Sequence, residues 1–336
     1  MELKNRFAIG CLVQFYEIDI VKDYLISVKN SLDIVDNKEN VIVDICFNLN
    51  QGLEQVDTNK TSIGDLRNRM RELMLEVFGY DEHWDDTIGT DYVIDYWEHD
   101  RNGGDKNGIY TIADYRREFN EKYCEKTEVL MWGESDALIP TQTWYILDGL
   151  HNSVKEDTPK YVSFFATCKM WDESWKVLEH PKFTDKPFTE GDTENWWSLR
   201  YNMNIDEMNS FNDKIEDLDI RSINQYKFNG CGLVISSEII KAGVNIPRSA
   251  FFVHEDTSFM LMTQKILGNI PQYIIKNILL VHNRNHPKKR MYIKGERKDG
   301  TMNEKRRSNS WYVKANKMSE QNCYNIFNKY LTNINF

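Results

Sequence analysis

The stretch TEVLMWGESDALIP, residues 127 to 140, decides the fold prediction. Its apolar run VLMW has the length and composition of a buried central strand. A glycine ends the run, and two carboxylates separated by one residue, Glu134 and Asp136, follow it. In an open α/β sheet, ligands bind outside the carboxyl ends of the strands. A carboxylate pair there can hold a divalent cation, which can hold a phosphate. The alternative interpretation is an acidic turn after a core strand.

The segments before this stretch alternate between strand and helix patterns. Residues 7–15 and 41–47 are apolar runs, and residues 19–32 between them have an apolar stripe at helical spacing. Strand, helix, strand implies parallel strands joined by a right-handed crossover. The same patterns predict strands at 161–169, 229–236, 251–253 and 274–281, and helices at 62–78, 110–123, 141–150, 205–217 and 259–267. The sequence therefore predicts an α/β fold with a mostly parallel central sheet flanked by helices. Long insertions are predicted at 81–107, with one strand around 92–97, and at 172–200.

Composition limits the class of protein. The 336 residues are 41% hydrophobic, which is typical of a globular chain, and the net charge of -10 argues against a surface that is basic all over. Six cysteines are scattered without the spacing of a zinc site, so we expect free thiols in a reducing compartment and a cytoplasmic location. No run of 18 apolar residues occurs, so no transmembrane segment is predicted.

Polar clusters follow three of the predicted strands. They are the acidic pair Glu134 and Asp136, the segment His254-Glu255-Asp256, and His282 with His286. Because the carboxyl ends of parallel strands meet at one edge of a sheet, these clusters can converge. Carboxylate and imidazole ligands suit Mg²⁺ or Mn²⁺ better than zinc when no thiolate takes part. A hydrogen-bonded loop histidine and a pair of acids at a helix N-terminus are the alternatives.

The order of these features resembles that of the GT-A glycosyltransferases, in particular the inverting, family-2-like group that uses nucleotide sugars. WGESDALIP is similar to the metal-binding turn of that family, HEDTSF to the segment with its general base, and VHN to its late histidine. The resemblance covers about residues 6 to 285. It implies a GT-A-like domain at 1–285, with a nucleotide-binding half at 1–125 and a metal and acceptor half at 126–285.

The resemblance also implies roles for individual residues and a divalent cation, Mn²⁺ or Mg²⁺, with a UDP-sugar as the expected donor. Asp256 would be the general base, with Glu255 beside it in the catalytic pair. Asp136 and His282 would bind the metal. The residues expected to bind the nucleotide-sugar donor are Gln14, Tyr16, Asn48, Arg116 and Glu134.

Two positions depart from the family pattern. Asn48 stands where an aspartate is common after the second strand, which leaves the base of the nucleotide open. The first acid of the metal turn is Glu134 rather than aspartate. No processive Q-x-x-R-W motif is present, so a single sugar transfer is expected.

Residues 286–336 are predicted to be a basic C-terminal extension. Between Arg284 and Arg307 there are ten Lys or Arg residues against three acids. This segment is either a solvated surface or a contact for a polyanion such as DNA, and the acceptor could then be a hydroxylated base in DNA, as in phage-type enzymes, or a glycan. Two further functions stay open: a metal-dependent phosphoesterase or nuclease, and a non-catalytic protein that binds nucleotides or nucleic acid.

Overall fold

A computed structural model describes residues 2–49, 62–81, 86–87, 91–99, 110–167, 203–223, 230–250, 254–282 and 311–327. Several predicted features lie outside these ranges. They are the strand at 251–253, the acidic segment 172–200, most of the insertion 81–107, His286 and the basic segment 284–307.

The fold is α/β with one large mixed sheet. Its strands are β1 (Phe7–Gln14), β2 (Val41–Asn48), β5 (Val93–His99), β6 (Val129–Trp132), β7 (Ala137–Leu138), β8 (Val162–Thr167), β9 (Ile220–Ile223), β10 (Val234–Ser236) and β11 (Gln272–His282). The order is β5-β2-β1-β6-β10-β8-β11-β7, and β9 pairs with the first part of β11. Two short strands, β3 (Tyr80–Asp81) and β4 (Asp86–Thr87), form a separate hairpin.

The helices cover both faces of this sheet. They are α1 (Val21–Asp33), α2 (Ile63–Phe78), α3 (Ile112–Tyr123), α4 (Thr143–Val154), α5 (Ile205–Asn212), α6 (Ser237–Lys241), α7 (Glu255–Leu267) and α8 (Trp311–Phe327). Alternate residues of β1 face opposite sides. Phe7, Ile9 and Val13 join the core of α1, α2 and α4, whereas Ala8 and Leu12 join the core of α3, α6 and α7.

The predicted mostly parallel sheet is in fact mixed. The pairs β5-β2, β2-β1 and β1-β6 are parallel, and so is β8-β11. Strand β10 lies between β6 and β8 and is antiparallel to both. It runs the other way because the chain enters it at Gly230–Gly232, on the edge where β6 ends. The strands β6, β8 and β11 still share one direction, so their carboxyl ends lie on the same edge.

Several elements differ from the sequence prediction, among them α5, which ends at Asn212 rather than at residue 217. The strand predicted around 92–97 is confirmed as β5, but it is not part of a surface insertion: it pairs in register with β2 and forms the edge of the main sheet. Helix α7 begins at Glu255, four residues before the predicted start at Phe259. Both predicted halves of the GT-A-like domain, 1–125 and 126–285, contribute strands to the one sheet.

Helix α3 lies unusually close to the sheet because β1 has a glycine beneath it. A Cβ at Gly10 would stand 2.5 Å from the ring of Phe119 and 2.7 Å from the hydroxyl of Tyr115. Both of these side chains belong to α3. The glycine therefore allows the close packing that brings Arg116, on the same helix, to the edge of the sheet.

Helix α8 contacts α7 and the loop before it. Asn322 donates a hydrogen bond to the carbonyl oxygen of Ser249 at 2.6 Å, and Lys265 donates one to the carbonyl oxygen of Ile326 at 3.1 Å. Among the described residues, no helix combines the length and apolar character that crossing a bilayer requires.

Candidate metal and catalytic site

A tight turn between β6 and β7 brings the acidic pair to the end of β11. The amide of Ala137 donates to the carbonyl oxygen of Glu134 at 2.9 Å, and Ala137 then pairs with His282 in the β7-β11 ladder. The imidazole Nε2 of His282 lies 2.9 Å from Oε2 of Glu134 and 3.4 Å from Oδ1 of Asp136. Asp136 and His282 are buried, and Glu134 is partly exposed. The structure therefore brings the two predicted metal ligands, Asp136 and His282, together with Glu134, which the resemblance assigns to donor binding.

Arg116 is the centre of the charge network at this edge. Its guanidinium is 1% exposed, donates to Glu134 at 3.0 Å and to the carbonyl oxygen of Gly230 at 3.0 Å, and forms a close ion pair with Glu255. The group also lies over the ring of Trp132, 4.7 Å from its centroid. One arginine thus ties the turn after β6 to the start of α7, in a fork geometry that suits two carboxylates.

The start of α7 is held by an unusual backbone conformation. His254 precedes the helix with a φ of 63°, in the left-handed region that a non-glycine residue rarely adopts. Such strain persists only when surrounding contacts hold it, and it is common at functional sites. Here the contacts are made by the next two residues, since Glu255 binds Arg116 and the carboxylate of Asp256 accepts a hydrogen bond from the amide of Gly230 at 3.0 Å.

The segment Gly230–Gly232 connects the two parts of the site. A Cβ at Gly230 would lie 2.8 Å from Nη1 of Arg116 and 3.1 Å from Oδ2 of Asp256, so a larger residue would displace both. Cys231 follows, and its thiol contacts the imidazole of His282. Ligand atoms of Glu134, Cys231 and His282 all lie within 4.8 Å of one another. The sequence predicts a strand over 229–236 but assigns no site residue in it, and the glycines that flank Cys231 are its only local signal.

Burial and opposite charges have competing effects on the basic groups. Burial alone would lower the pKa of Arg116, but the carboxylates of Glu255 and Glu134 raise it, so the guanidinium is charged. Burial would also lower the pKa of His282, but Cys231 and the carboxylates of Asp136 and Glu134 raise it. The edge of the sheet therefore gathers positive charge next to several acids.

For Glu255, burial has a larger effect on the pKa than the neighbouring opposite charge. Burial raises its pKa to about 8, and the attraction of Arg116 only partly offsets this effect. A buried carboxyl group with a raised pKa next to a specific charged partner is typical of functional sites.

A second polar cluster lies at the ends of β1 and β2. Asn48 donates from its side chain to Oε1 of Gln14 at 3.0 Å and to the carbonyl oxygen of Tyr110 at 3.1 Å, and both Asn48 and Gln14 are buried. Tyr16 is also buried, in a 3-10 turn just after β1. The imidazole of His99, at the end of β5, stacks on Tyr110 with centroids 4.0 Å apart. The predicted donor-binding residues Gln14 and Asn48 are thus hydrogen-bonded to each other, at the carboxyl ends of β1 and β2.

The side chains of Glu134, Asp136 and His282 suit a divalent cation. Two carboxylates and an imidazole are hard or borderline ligands of the kind that divalent ions take, and the three side chains meet within one small volume. Arg116 and Asp256 lie beside these side chains, and both are hydrogen-bonded to Gly230. The arrangement can hold an ion, bind anionic groups and accept a proton.

Comparisons with known proteins add a weak similarity. No protein-family model matches the chain, and no curated protein matches it. A crystal structure of a mycobacterial protein is similar at a TM-score of 0.43 with 11% identical residues, over 96% of this chain and 74% of that one. A similarity of this size supports no conclusion about function.

Proposed function

We propose that this protein is a metal-assisted, inverting glycosyltransferase of GT-A type that moves a sugar from a nucleoside-diphosphate sugar to an acceptor hydroxyl. The observation that supports this proposal is the convergence of Glu134, Asp136 and His282 with Asp256 around Arg116. The convergence joins a cation site to a candidate general base, and sugar transfer needs both. In the parallel half of the sheet, β5-β2-β1-β6, Gln14 and Asn48 end neighbouring strands on the same edge, and there they would contact the nucleoside.

Asp136, His282 and Glu134 would hold the cation and orient the diphosphate. A bound Mn²⁺ or Mg²⁺ would stabilise the charge that develops on the leaving diphosphate. Arg116 adds a buried positive charge at the same edge, where an anionic group gains more from it than in water.

Asp256 would act as the base. Its Oδ2 accepts from the amide of Gly230 and its Oδ1 from the amide of Thr257 at 2.7 Å, which fixes the carboxylate and leaves lone pairs for an acceptor hydroxyl. The proton moves to Asp256 as the acceptor oxygen bonds to the anomeric carbon. The bond from that carbon to the diphosphate oxygen breaks, and the nucleoside diphosphate leaves. A positioned base contributes typically about 10²–10⁴-fold to the rate.

The reaction can be tested without a known acceptor, because water can occupy the acceptor position. The purified protein is incubated with a UDP-sugar and Mn²⁺, and the products are followed by proton NMR. We expect UDP and free sugar, first released with the opposite anomeric configuration. Asp256→Asn should slow release by roughly 10²-fold or more, whereas Asp157→Asn, an exposed control, should not change it.

The products also discriminate the other candidate functions. A phosphoesterase would cleave between the phosphates and release a nucleoside monophosphate and a sugar phosphate. A binding protein without activity would release nothing. Sugar released with retained configuration would contradict a single displacement with Asp256 as the base.

A further inference from the structure

A thiol is part of the candidate cation site. Cys231 is 2% exposed and lies between Gly230, which binds Arg116 and Asp256, and Gly232, which has a φ of +72°. A Cβ at Gly232 would stand 2.6 Å from Cδ1 of Leu280, a residue of β11. The backbone after Cys231 is therefore close to the strand that ends in His282, and the backbone before it is held by Arg116 and Asp256.

The ligand atoms have a spread that one ion can span. Those of Glu134, Cys231 and His282 lie within 4.8 Å of one another, and Asp136 Oδ1 lies 3.4 Å from Nε2 of His282. Around a tetrahedral zinc ion, with bonds of about 2.0–2.3 Å, ligand atoms are roughly 3.3–3.8 Å apart. Small movements of side chains would therefore bring these atoms into a single coordination shell.

We propose that Cys231 is a ligand of the cation, together with Glu134 and His282, and that the centre selects a borderline transition-metal ion such as Zn²⁺, Co²⁺ or Fe²⁺ over Mg²⁺. Thiolate and imidazole bind these ions strongly, whereas Mg²⁺ requires oxygen ligands and keeps several waters. The preference for Mg²⁺ or Mn²⁺ in the sequence analysis assumed that no thiolate takes part, and the position of Cys231 removes that assumption.

The inference rests on one part of the proposed function, the presence of a cation at this edge, and it does not require sugar transfer. It involves no redox step: the thiol loses its proton to solvent and the thiolate sulfur bonds to the ion. Metal binding can therefore be tested with the metal alone.

The experiment is a titration of the metal-free protein with Co²⁺, followed by ultraviolet and visible absorption. We expect one equivalent of Co²⁺ to produce a thiolate-to-cobalt charge-transfer band. Cys231→Ser should lose the band and bind Co²⁺ and Zn²⁺ at least about tenfold more weakly, since loss of even an outer partner of a metal ligand costs 10–100-fold. Binding of Mg²⁺ should change much less.

The matched control is Cys124→Ser, at the carboxyl end of α3, whose thiol contacts the carbonyl oxygen of Glu121. This variant should keep the band. If Cys231→Ser does not fold, X-ray absorption of the zinc-loaded wild type decides, because a sulfur ligand appears at about 2.3 Å and oxygen or nitrogen ligands at about 2.0–2.1 Å.

Absence of the band in the wild type, or a band that persists in Cys231→Ser, would overturn the inference. Its failure is distinguishable from failure of the proposed function. A wild-type protein that releases nucleoside diphosphate but shows no sulfur ligand on the metal would refute only the assignment of Cys231. A sulfur ligand in a protein that releases no nucleoside diphosphate would refute only the sugar transfer.

Discussion

At the scale of single residues, Arg116 and Gly230 determine how the site is assembled. Arg116 is buried with two carboxylates and the carbonyl oxygen of Gly230 as partners, and Gly230 also donates to Asp256. Removing one partner of a buried ion pair is costly because the remaining charge stays buried without compensation. The two residues thus couple the cation site to the candidate base.

Gly230→Ala tests this coupling. The added methyl group would lie 2.8 Å from Arg116 and 3.1 Å from Asp256, so we expect both to shift, with a loss of about 1–3 kcal/mol in the free energy of unfolding. Release of nucleoside diphosphate should fall as well. Gly149→Ala, in α4, is the control, since nothing lies within 4 Å of its Cβ and alanine favours a helix. Unchanged stability and activity in Gly230→Ala would contradict the coupling.

The protonation of Glu255 predicts a pH dependence of stability. Its pKa is about 8 in the folded state and about 4.3 in an unfolded chain. Its favourable contribution is complete below about pH 4.3 and is lost as the pH rises through 8, because in that range the folded state holds a proton that the unfolded state has released.

Glu255→Gln should therefore become more stable relative to the wild type as the pH rises from 5 to 8, by up to about 1.4 kcal/mol per pH unit. Urea unfolding at several pH values measures this difference. Glu156→Gln, an exposed substitution, should show a constant difference. Parallel pH curves for Glu255→Gln and the wild type would refute the raised pKa.

At the scale of elements, a buried polar network fixes α3 on the sheet. Asp44, in the middle of β2, accepts hydrogen bonds from the hydroxyls of Tyr115 and Tyr123 at 2.7 Å each and pairs with Lys122 at 3.1 Å. Asp44 is 1% exposed. The network anchors the helix that positions Arg116, although it lies away from the site itself.

Asp44→Ala should lower the free energy of unfolding by about 2–3 kcal/mol, because it removes the acceptor that Tyr115, Tyr123 and Lys122 share, although Asp95 still accepts from Tyr123 and Lys122. Tyr115→Phe removes one hydrogen bond and should cost only about 0.5–1.5 kcal/mol. Chemical denaturation measures both. Equal losses for the two variants would contradict the assignment of Asp44 as the shared acceptor.

The sequence predicted the convergence of the site because it depends on a simple rule. Glu134 and His282 each follow an apolar strand, and strands that run in one direction end at one edge. The pairing of β7 with β11, which sets the 2.9 Å contact between these two residues, was not predictable because β7 is only two residues long.

Cys231 could not be assigned from the sequence. It is 97 residues from Glu134 and 51 from His282 along the chain, and the contact depends on β10 lying between β6 and β8. Strand β10 is three residues long, too short for its direction to follow from an apolar pattern. Similarly, the packing of Arg116 depends on the close approach of α3 over Gly10, which no local pattern reveals.

At the scale of the whole molecule, the mixed sheet gathers two polar groups on one edge. Gln14 and Asn48 lie at the ends of β1 and β2, and the candidate cation site lies where β6 and β11 end. A nucleotide sugar is an extended ligand. Its nucleoside would contact Gln14 and Asn48, and its diphosphate would lie at the candidate cation site. Its anionic part would meet Arg116 and the cation, even though the protein as a whole has a net charge of -10.

The most direct test of this account is a thermal-shift measurement with UDP-, GDP-, CMP- and dTDP-sugars, each with and without Mn²⁺ or Co²⁺. A ligand that binds only the folded state stabilises it by roughly 2.7 kcal/mol at a hundredfold excess over its dissociation constant. The account predicts a metal-dependent shift with one class of nucleotide, which is lost in Asp136→Ala. A protein that no nucleotide sugar stabilises in the presence of either metal would contradict it, and a shift with DNA alone would point to the basic segment 284–307 instead.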